Sequence, residues 1–371
     1  MMTRFASARP LGFARASSEG AWCSIARNAA RLAAAAGIAL LAACDGGSAT
    51  PDADDTAARE AGASGADASA EPFPMTLQLN WVAEPEFGGF FAASDLGLFA
   101  KEGLNLKVVQ GSSDAPAPQL VASGKVELAV VAATQLVELN DAGGDLVAIY
   151  AVFQTNPMGV MVHEASPYQT LSELWESPDA TLAIQDGLAD FAYLSKAFPG
   201  GKLRLVPYTG SLGQFAVDPK LASQCFIPSE PAALELKGVK TRVFQIADAG
   251  FNPYNAVVAT TRSFLAKHPK ECAAFVRAAA AGWRAYLDDP APFNATMSKL
   301  NPAMTLDAMA LCAKHQQPLV ENDETKRIGL GGMRLPRWEE TVKQLFELGR
   351  VKKAADAAAL FSWDMSADTA R

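Results

Sequence analysis

The residues of this chain best placed to meet a small molecule lie between Leu79 and Phe91, in the stretch LNWVAEPEFGGFF. Met75, Leu77, Leu79 and Trp81 alternate with polar residues at a period of two, which predicts a half-buried strand with those four on its apolar face. A helix is predicted from Phe90 to Phe99. The junction therefore falls beyond the carboxyl end of a strand and beside a helix N-terminus, where open α/β sheets place ligands. Pro85 suits a first helical turn, and Glu86 there complements the helix dipole. Gly88 and Gly89 cost that turn about 1 kcal/mol each relative to Ala, so they predict close approach by a ligand or by another backbone.

Read as residues alone, Trp81 also suits a core position, Glu84 and Glu86 a solvated helix start, and Glu230 before Pro231 a helix cap. The histidines are His163, His268 and His315. No Ser-His-Asp order, metal-ligand spacing or Walker-type phosphate loop accompanies them. The expectation is a protein without catalytic residues, metal or cofactor. Cys225, Cys272 and Cys312 are scattered, which allows at most one disulfide and favours buried free thiols.

The elements that position these residues begin after a distinct leader. Residues 1–43 carry five Arg against one Glu and end in an apolar run from Leu32 to Ala43, too short to span a bilayer. This reads as a signal peptide. Leu41-Ala42-Ala43-Cys44 looks like a bacterial lipobox, with the Cys44 thiol as the lipid attachment point. Residues 44–73 are rich in Ala, Asp, Ser and Gly and read as a disordered, self-repelling tether. Loss of the leader would take the formal net charge from −8 to about −12, and so acidic a surface disfavours nucleic acid.

From Met75 strands and helices alternate. Strands are predicted around Leu104 to Val108, Val126 to Ala132, Leu146 to Val152 and Met158 to Val162, the last closing a first, parallel-sheet lobe. Ser112 and Ser113 form a turn and cap cluster, and Thr134 caps a helix. A second series of the same kind runs to Ile246, with strands at Thr181 to Ile184, Lys202 to Val206, Gln224 to Ile227 and Thr241 to Ile246. An extended return follows from Asn252 to Ala259. Residues 263–365 are then predicted helical, with Phe275, Ala279, Trp283 and Tyr286 as a core stripe. The division is lobe 1 from 74–165 plus 252–350, lobe 2 from 166–251, and a C-terminal tail from 351–371. Two α/β lobes joined by two crossings, with a helical C-terminal return, is the architecture of a hinged binding protein, with hinges expected near 163–166 and 248–256.

Five pieces of the chain, in order, resemble the extracytoplasmic substrate-binding proteins of ABC transporters, in the branch shared with the fungal thiamine-pyrimidine synthase and the aliphatic-sulfonate and taurine binders. They are 79–111, 112–131, CFIPSEP at 225–231, HPKECAAFVRAAAAGWRAYLDDP at 268–290 and LPRWEETVKQLFELG at 335–349. The resemblance implies the type II periplasmic-binding-protein fold. It also implies that Trp81, Glu84, Glu86 and Phe87 line a cleft from the first lobe, with hydroxyls and helix amides at Ser112, Ser113 and Thr134. Ser229 and Glu230 would face them from the second lobe, and Asn252 and Tyr254 would sit at the return crossing.

On that reading Trp81 and Phe87 sandwich a planar ring while Glu86 or Glu230 accepts hydrogen bonds from it. The implied solute is heteroaromatic, like a thiamine-pyrimidine precursor, with flavins next and alkylsulfonates or taurine last. The implied partners are a permease and an ATPase, with the protein a monomer held by the lipid on Cys44 at the outer side of the cytoplasmic membrane. Two alternatives remain. One is an enzyme like the fungal synthase, which consumes a His of its own chain and a Lys-bound pyridoxal phosphate. Here no His lies in the loops after the first three strands and no Lys between Asn80 and Ala100. The other is a sensing lipoprotein that delivers its ligand to a receptor.

Overall fold

The computed structural model describes residues 71–111 and 116–363, and ten strands among them form two five-stranded mixed sheets flanked by helices. The expected signal peptide, Cys44, most of the tether, and Ser112 and Ser113 lie outside the described residues.

The first sheet runs β2-β1-β3-β10-β4, built from β1 (Phe73–Gln78), β2 (Leu104–Val109), β3 (Leu128–Val131), β4 (Leu146–Phe153) and β10 (Asn255–Thr261). β1 is parallel to β2 and β3, whereas β10 runs antiparallel between β3 and β4. The returning chain thus closes the sheet, which is mixed rather than parallel throughout. β1 begins at Phe73, inside the stretch assigned to the tether, because the Phe73 ring packs on Phe264 and His268.

The second sheet runs β7-β6-β8-β5-β9, from β5 (Met158–His163), β6 (Thr181–Ile184), β7 (Arg204–Pro207), β8 (Leu221–Phe226) and β9 (Thr241–Gln245). Here the expectation for Met158 to Val162 is corrected. That strand pairs antiparallel with both β8 and β9, so it belongs to the second sheet and the first crossing falls at 154–157. A strand buried on both faces reads as an unbroken apolar run whichever sheet receives it.

The two crossings are tied together at one point. Arg337 Nε donates to the Asn252 carbonyl (2.7 Å), Nη2 to Asn252 Oδ1 (2.7 Å), and Nη1 to the carbonyl of Gln154 on the other crossing. Asn252 Oδ1 also accepts from Asn156 N at 2.8 Å. The Arg337 guanidinium lies 4.1 Å from the centre of the Tyr254 ring.

The C-terminal return is helical as expected. Its longest member, Pro269–Asp288, buries Phe275, Ala279, Trp283 and Tyr286 against the helix Gly88–Asp95. Residues 351–363 are part of the fold, not a loose tail. Leu360 is buried, Phe361 bridges to Ala148 of β4, and its ring stacks on Trp338.

Candidate functional site

β1 stops at Gln78, and the chain from Leu79 to Phe87 forms a loop and a short 3-10 turn with Pro85 at its start. Four side-chain hydrogen bonds pin the loop. Gln78 Nε2 donates to the Leu79 carbonyl (3.0 Å), Gln110 Oε1 accepts from Ala83 N (2.8 Å), Asn301 Nδ2 donates to the Ala83 carbonyl (3.2 Å), and Gln316 Nε2 donates to that of Pro85 (2.7 Å). Gly111 abuts the backbone of Leu79 to Trp81 and donates to the Trp81 carbonyl. Glu84 and Glu86 are thereby held on a fixed backbone.

The second lobe presents Glu230 in the same way. β8 ends at Phe226, a tight turn follows, and the helix Glu230–Glu235 starts with Ser229 at its N-cap and Pro231 in its first turn. Glu230 accepts from Phe226 N at 2.8 Å and from Tyr208 Oη at 3.1 Å.

The third wall is the helix Leu306–Val320, which packs against both the Pro85 turn and the Glu230 helix. Cys312 and Gln316 lie one turn apart on its buried face. Cys312 lies close enough to Ser229 for the hydroxyl to favour its thiolate. Near its end, the Leu319 carbonyl accepts from Gln154 and Thr155 of the first crossing. This helix therefore runs from the cleft to the hinge.

Glu84, Glu86 and Glu230 act on one another electrostatically. Burial, then the charge of Glu230, pushes the Glu84 carboxyl up from 4.5 to about 7, with a hydrogen bond from the Trp81 side chain opposing. Burial and then the charges of Glu84 and Glu230 push Glu86 well above the carboxylate range. Glu230 is raised by burial against the pull of its own hydrogen bonds. Burial together with these carboxylates also holds the Cys312 thiol up at about 12 and raises the Tyr208 hydroxyl. Among the described residues, no ion pair involves any of the three carboxyls. The arrangement can bind a group that donates hydrogen bonds or carries positive charge.

The other expected site residues fall elsewhere. Phe87 is fully buried in the first lobe's core, so it cannot form one side of a ring sandwich, while Trp81 leaves the strand face and is 42% exposed. Thr134 is no cap. Ala132 holds the N-cap position of the helix Ala133–Asp141, its N–H donating to Gln135 Oε1 at 3.1 Å, and Thr134 lies inside the first turn. Asn252 is committed to Arg337 and Asn156, and Tyr254 is buried with its hydroxyl accepting from Arg334 N at 3.0 Å. Gly88 and Gly89 face side chains of the core, not a ligand, since the rings of Tyr286 and Trp283 fill the space where their Cβ atoms would be. Sequence reasoning missed Tyr208, Cys312 and Gln316. The last two sit four residues apart, the one local signal of a shared face.

His163 Nε2 is bonded to the Phe215 carbonyl at 2.6 Å, and His268 lies against the rings of Phe73 and Phe264. His315 lines a separate groove of about 450 Å³ with Glu164, Pro231, Glu235 and Lys240. Cys225, Cys272 and Cys312 are free and buried. No described helix is long and apolar enough to cross a membrane.

A family model described as "NMT1/THI5 like" matches residues 84–175 and 213–292. The 4-amino-5-hydroxymethyl-2-methylpyrimidine phosphate synthase of Uromyces fabae is 25% identical over 251 residues, covering 62% of this chain and 72% of its own. A Haemophilus influenzae protein named for thiamine biosynthesis is 26% identical over 140 residues, covering 37% of this chain and 45% of its own. Among solved structures, the periplasmic aliphatic sulphonate binding protein SsuA of Escherichia coli superposes with a TM-score of 0.59 at 16% identity, covering 78% of this chain and 92% of its own. The periplasmic nitrate-binding protein NrtA of Synechocystis gives 0.57 at 14% identity, covering 81% and 89%. These likenesses establish the periplasmic-binding-protein fold.

Proposed function

The chain belongs to the NMT1/THI5-like family, and on that premise we propose that it is the solute-binding component of an ABC importer, closing two lobes on a small heteroaromatic ligand. The observation that carries this reading is the meeting of carboxyls from both lobes, Glu84 and Glu86 from one and Glu230 from the other, beside the contact between Ser229 and Cys312. A ligand bonded to both sets stabilises the closed state by its differential affinity, and the closed form is what a permease recognises. A nitrogen heterocycle with amino or ring N–H groups matches these acceptors, as a thiamine-pyrimidine precursor does. Trp81, exposed at the rim, supplies one aromatic face.

The remaining parts of the proposal follow from the leader. Cleavage before Cys44 and lipidation there would anchor a monomer on the outer side of the bacterial cytoplasmic membrane, with the lobes delivering solute to a permease and ATPase. The relative named as a synthase favours a second reading, pyrimidine synthesis. Against it stand the commitments of His163 and His268 to packing and of His315 to a separate groove. Delivery to a receptor instead of a permease is a third reading.

The test is thermal unfolding of purified residues 73–371 with thiamine-pyrimidine precursors, flavins, taurine and alkylsulfonates, joined to small-angle scattering. A solute at a hundred times its dissociation constant adds about 2.7 kcal/mol. A raised melting temperature with a smaller radius of gyration and unchanged solute supports the binder, whereas chemical conversion of the solute sinks it.

A further inference from the structure

Resting on the reading of this cleft as a solute site, we infer that the solute is a small organic cation presenting two or more N–H donors along one edge, as an amidinium does. The chain would then carry the opposite charge preference from the sulphonate and nitrate binders whose fold it shares.

The side-chain donors named in the cleft are engaged. Tyr208 Oη and Phe226 N are used on Glu230, the Trp81 side chain acts on Glu84, and Ser229 lies against Cys312. What the ionised carboxyls offer is acceptor capacity. Glu84 and Glu86 have no ion-pair partner among the described residues, and Gln316 adds a neutral acceptor beside the Pro85 turn that carries them. Gln316 is fully buried, and its Oε1 has no hydrogen-bond partner. The amide cannot be turned round to hide that oxygen. Its other end faces the Pro85 carbonyl, which accepts only, so Nε2 must point there and Oε1 must be the free end. A buried acceptor left open is costly, and Pro85 lies between the two glutamates in the chain, so a ligand held by them is placed to donate to it.

Little here favours an anion. Among the described residues no Lys or Arg pairs with the three carboxyls, and the other titratable groups that act with them are Tyr208, Cys225 and Cys312, all neutral at physiological pH because burial raises them. His315, one turn along the helix from Cys312, faces Glu164, Glu235 and Lys240 in the adjoining groove. Without a cation, the carboxyls relieve their mutual repulsion by holding protons, Glu84 up to about pH 7. A bound cation takes the place of those protons, so capture releases them to solvent.

The experiment is calorimetric titration of residues 73–371 with acetamidinium and benzamidinium, set against acetamide and benzamide as neutral isosteres and against acetate, benzoate and benzenesulfonate. Runs between pH 5.5 and 8.5 in both phosphate and Tris separate proton release from binding. Amidinium affinity is expected to rise with pH, about tenfold per unit for each proton displaced, with a heat that differs between the two buffers. Glu86→Gln should weaken the amidinium at least about tenfold, since it removes one of the charges facing it. Gln316→Leu should weaken it while circular dichroism stays native, and Gln316→Glu should strengthen it at pH 8. Binding of benzoate or benzenesulfonate in preference to benzamidinium overturns the inference but leaves a solute binder. Silence of every amidinium, or affinity independent of pH and buffer, also overturns it, while the scattering assay decides the binder reading on its own.

Discussion

The indole ring of Trp283 occupies the space that a side chain on Gly89 would need, and the ring of Tyr286 does the same at Gly88. Gly282 completes the contact by abutting the Gly89 carbonyl and Ala93. The glycine pair thus serves the close approach of two helices. Gly89→Ala is expected to cost about 1–3 kcal/mol through overpacking. The check is the urea midpoint at unchanged slope. Full stability with loss of solute binding would instead return these glycines to the ligand.

Stability should fall as pH rises. Glu84 holds its proton up to about pH 7 in the folded chain, whereas an ordinary glutamate loses it near 4.5. Between those values the unfolded state gives up a proton that the native state keeps, so stability from this group is complete below about pH 4.5 and gone above about 7. Burial and repulsion act on Glu86 in the same direction. Melting temperatures of Glu84→Gln should decline less between pH 5 and 8 than those of the parent chain, and the variant should be the more stable at pH 8.

Arg337 joins the two crossings through Gln154 and Asn252. Arg337→Ala removes charged hydrogen bonds to both, each worth about 1.5–3 kcal/mol, and leaves the bonds of Asn156 to Asn252 and Phe251 to hold the crossings together. A lower melting temperature together with a larger radius of gyration in scattering is expected. Loss of stability with unchanged lobe separation would make Arg337 a local prop only.

Removal of residues after 350 should destabilise the first lobe. The segment buries Val351, Ala357 and Leu360, and Phe361 pairs with Ala148 and stacks on Trp338. Burying one such side chain contributes about 1.5–3 kcal/mol, so the truncated chain should melt several degrees lower. An unchanged melting curve would show that residues 351–363 only rest on the surface.

Part of the arrangement was legible from local chemistry. Glu84, Glu86, Ser229 and Glu230 stand where a strand or turn meets a helix start, and both helix starts carry Pro in the first turn, but taken alone these residues suit solvated helix starts and a cap equally well, and only the family resemblance pointed to a cleft. Phe87 was misplaced because an aromatic beside two glutamates has the same pattern whether it faces ligand or core. Only the Pro85 turn, rotating Phe87 inward and Trp81 outward, separates the two.

The chain alone determined the strand and helix order, the two-lobed class and the core stripe of the helix Pro269–Asp288, since each rests on periodicity within one segment. Tertiary structure alone decided that Met158–His163 joins the second sheet, that Arg337 ties the hinge, and that Cys312 and Gln316 reach across more than two hundred positions to the Pro85 turn or about eighty to Ser229. A side chain carries no local mark of its distant partner. Burial and the charge of that partner, rather than residue type, turn three ordinary glutamates into one electrostatic unit.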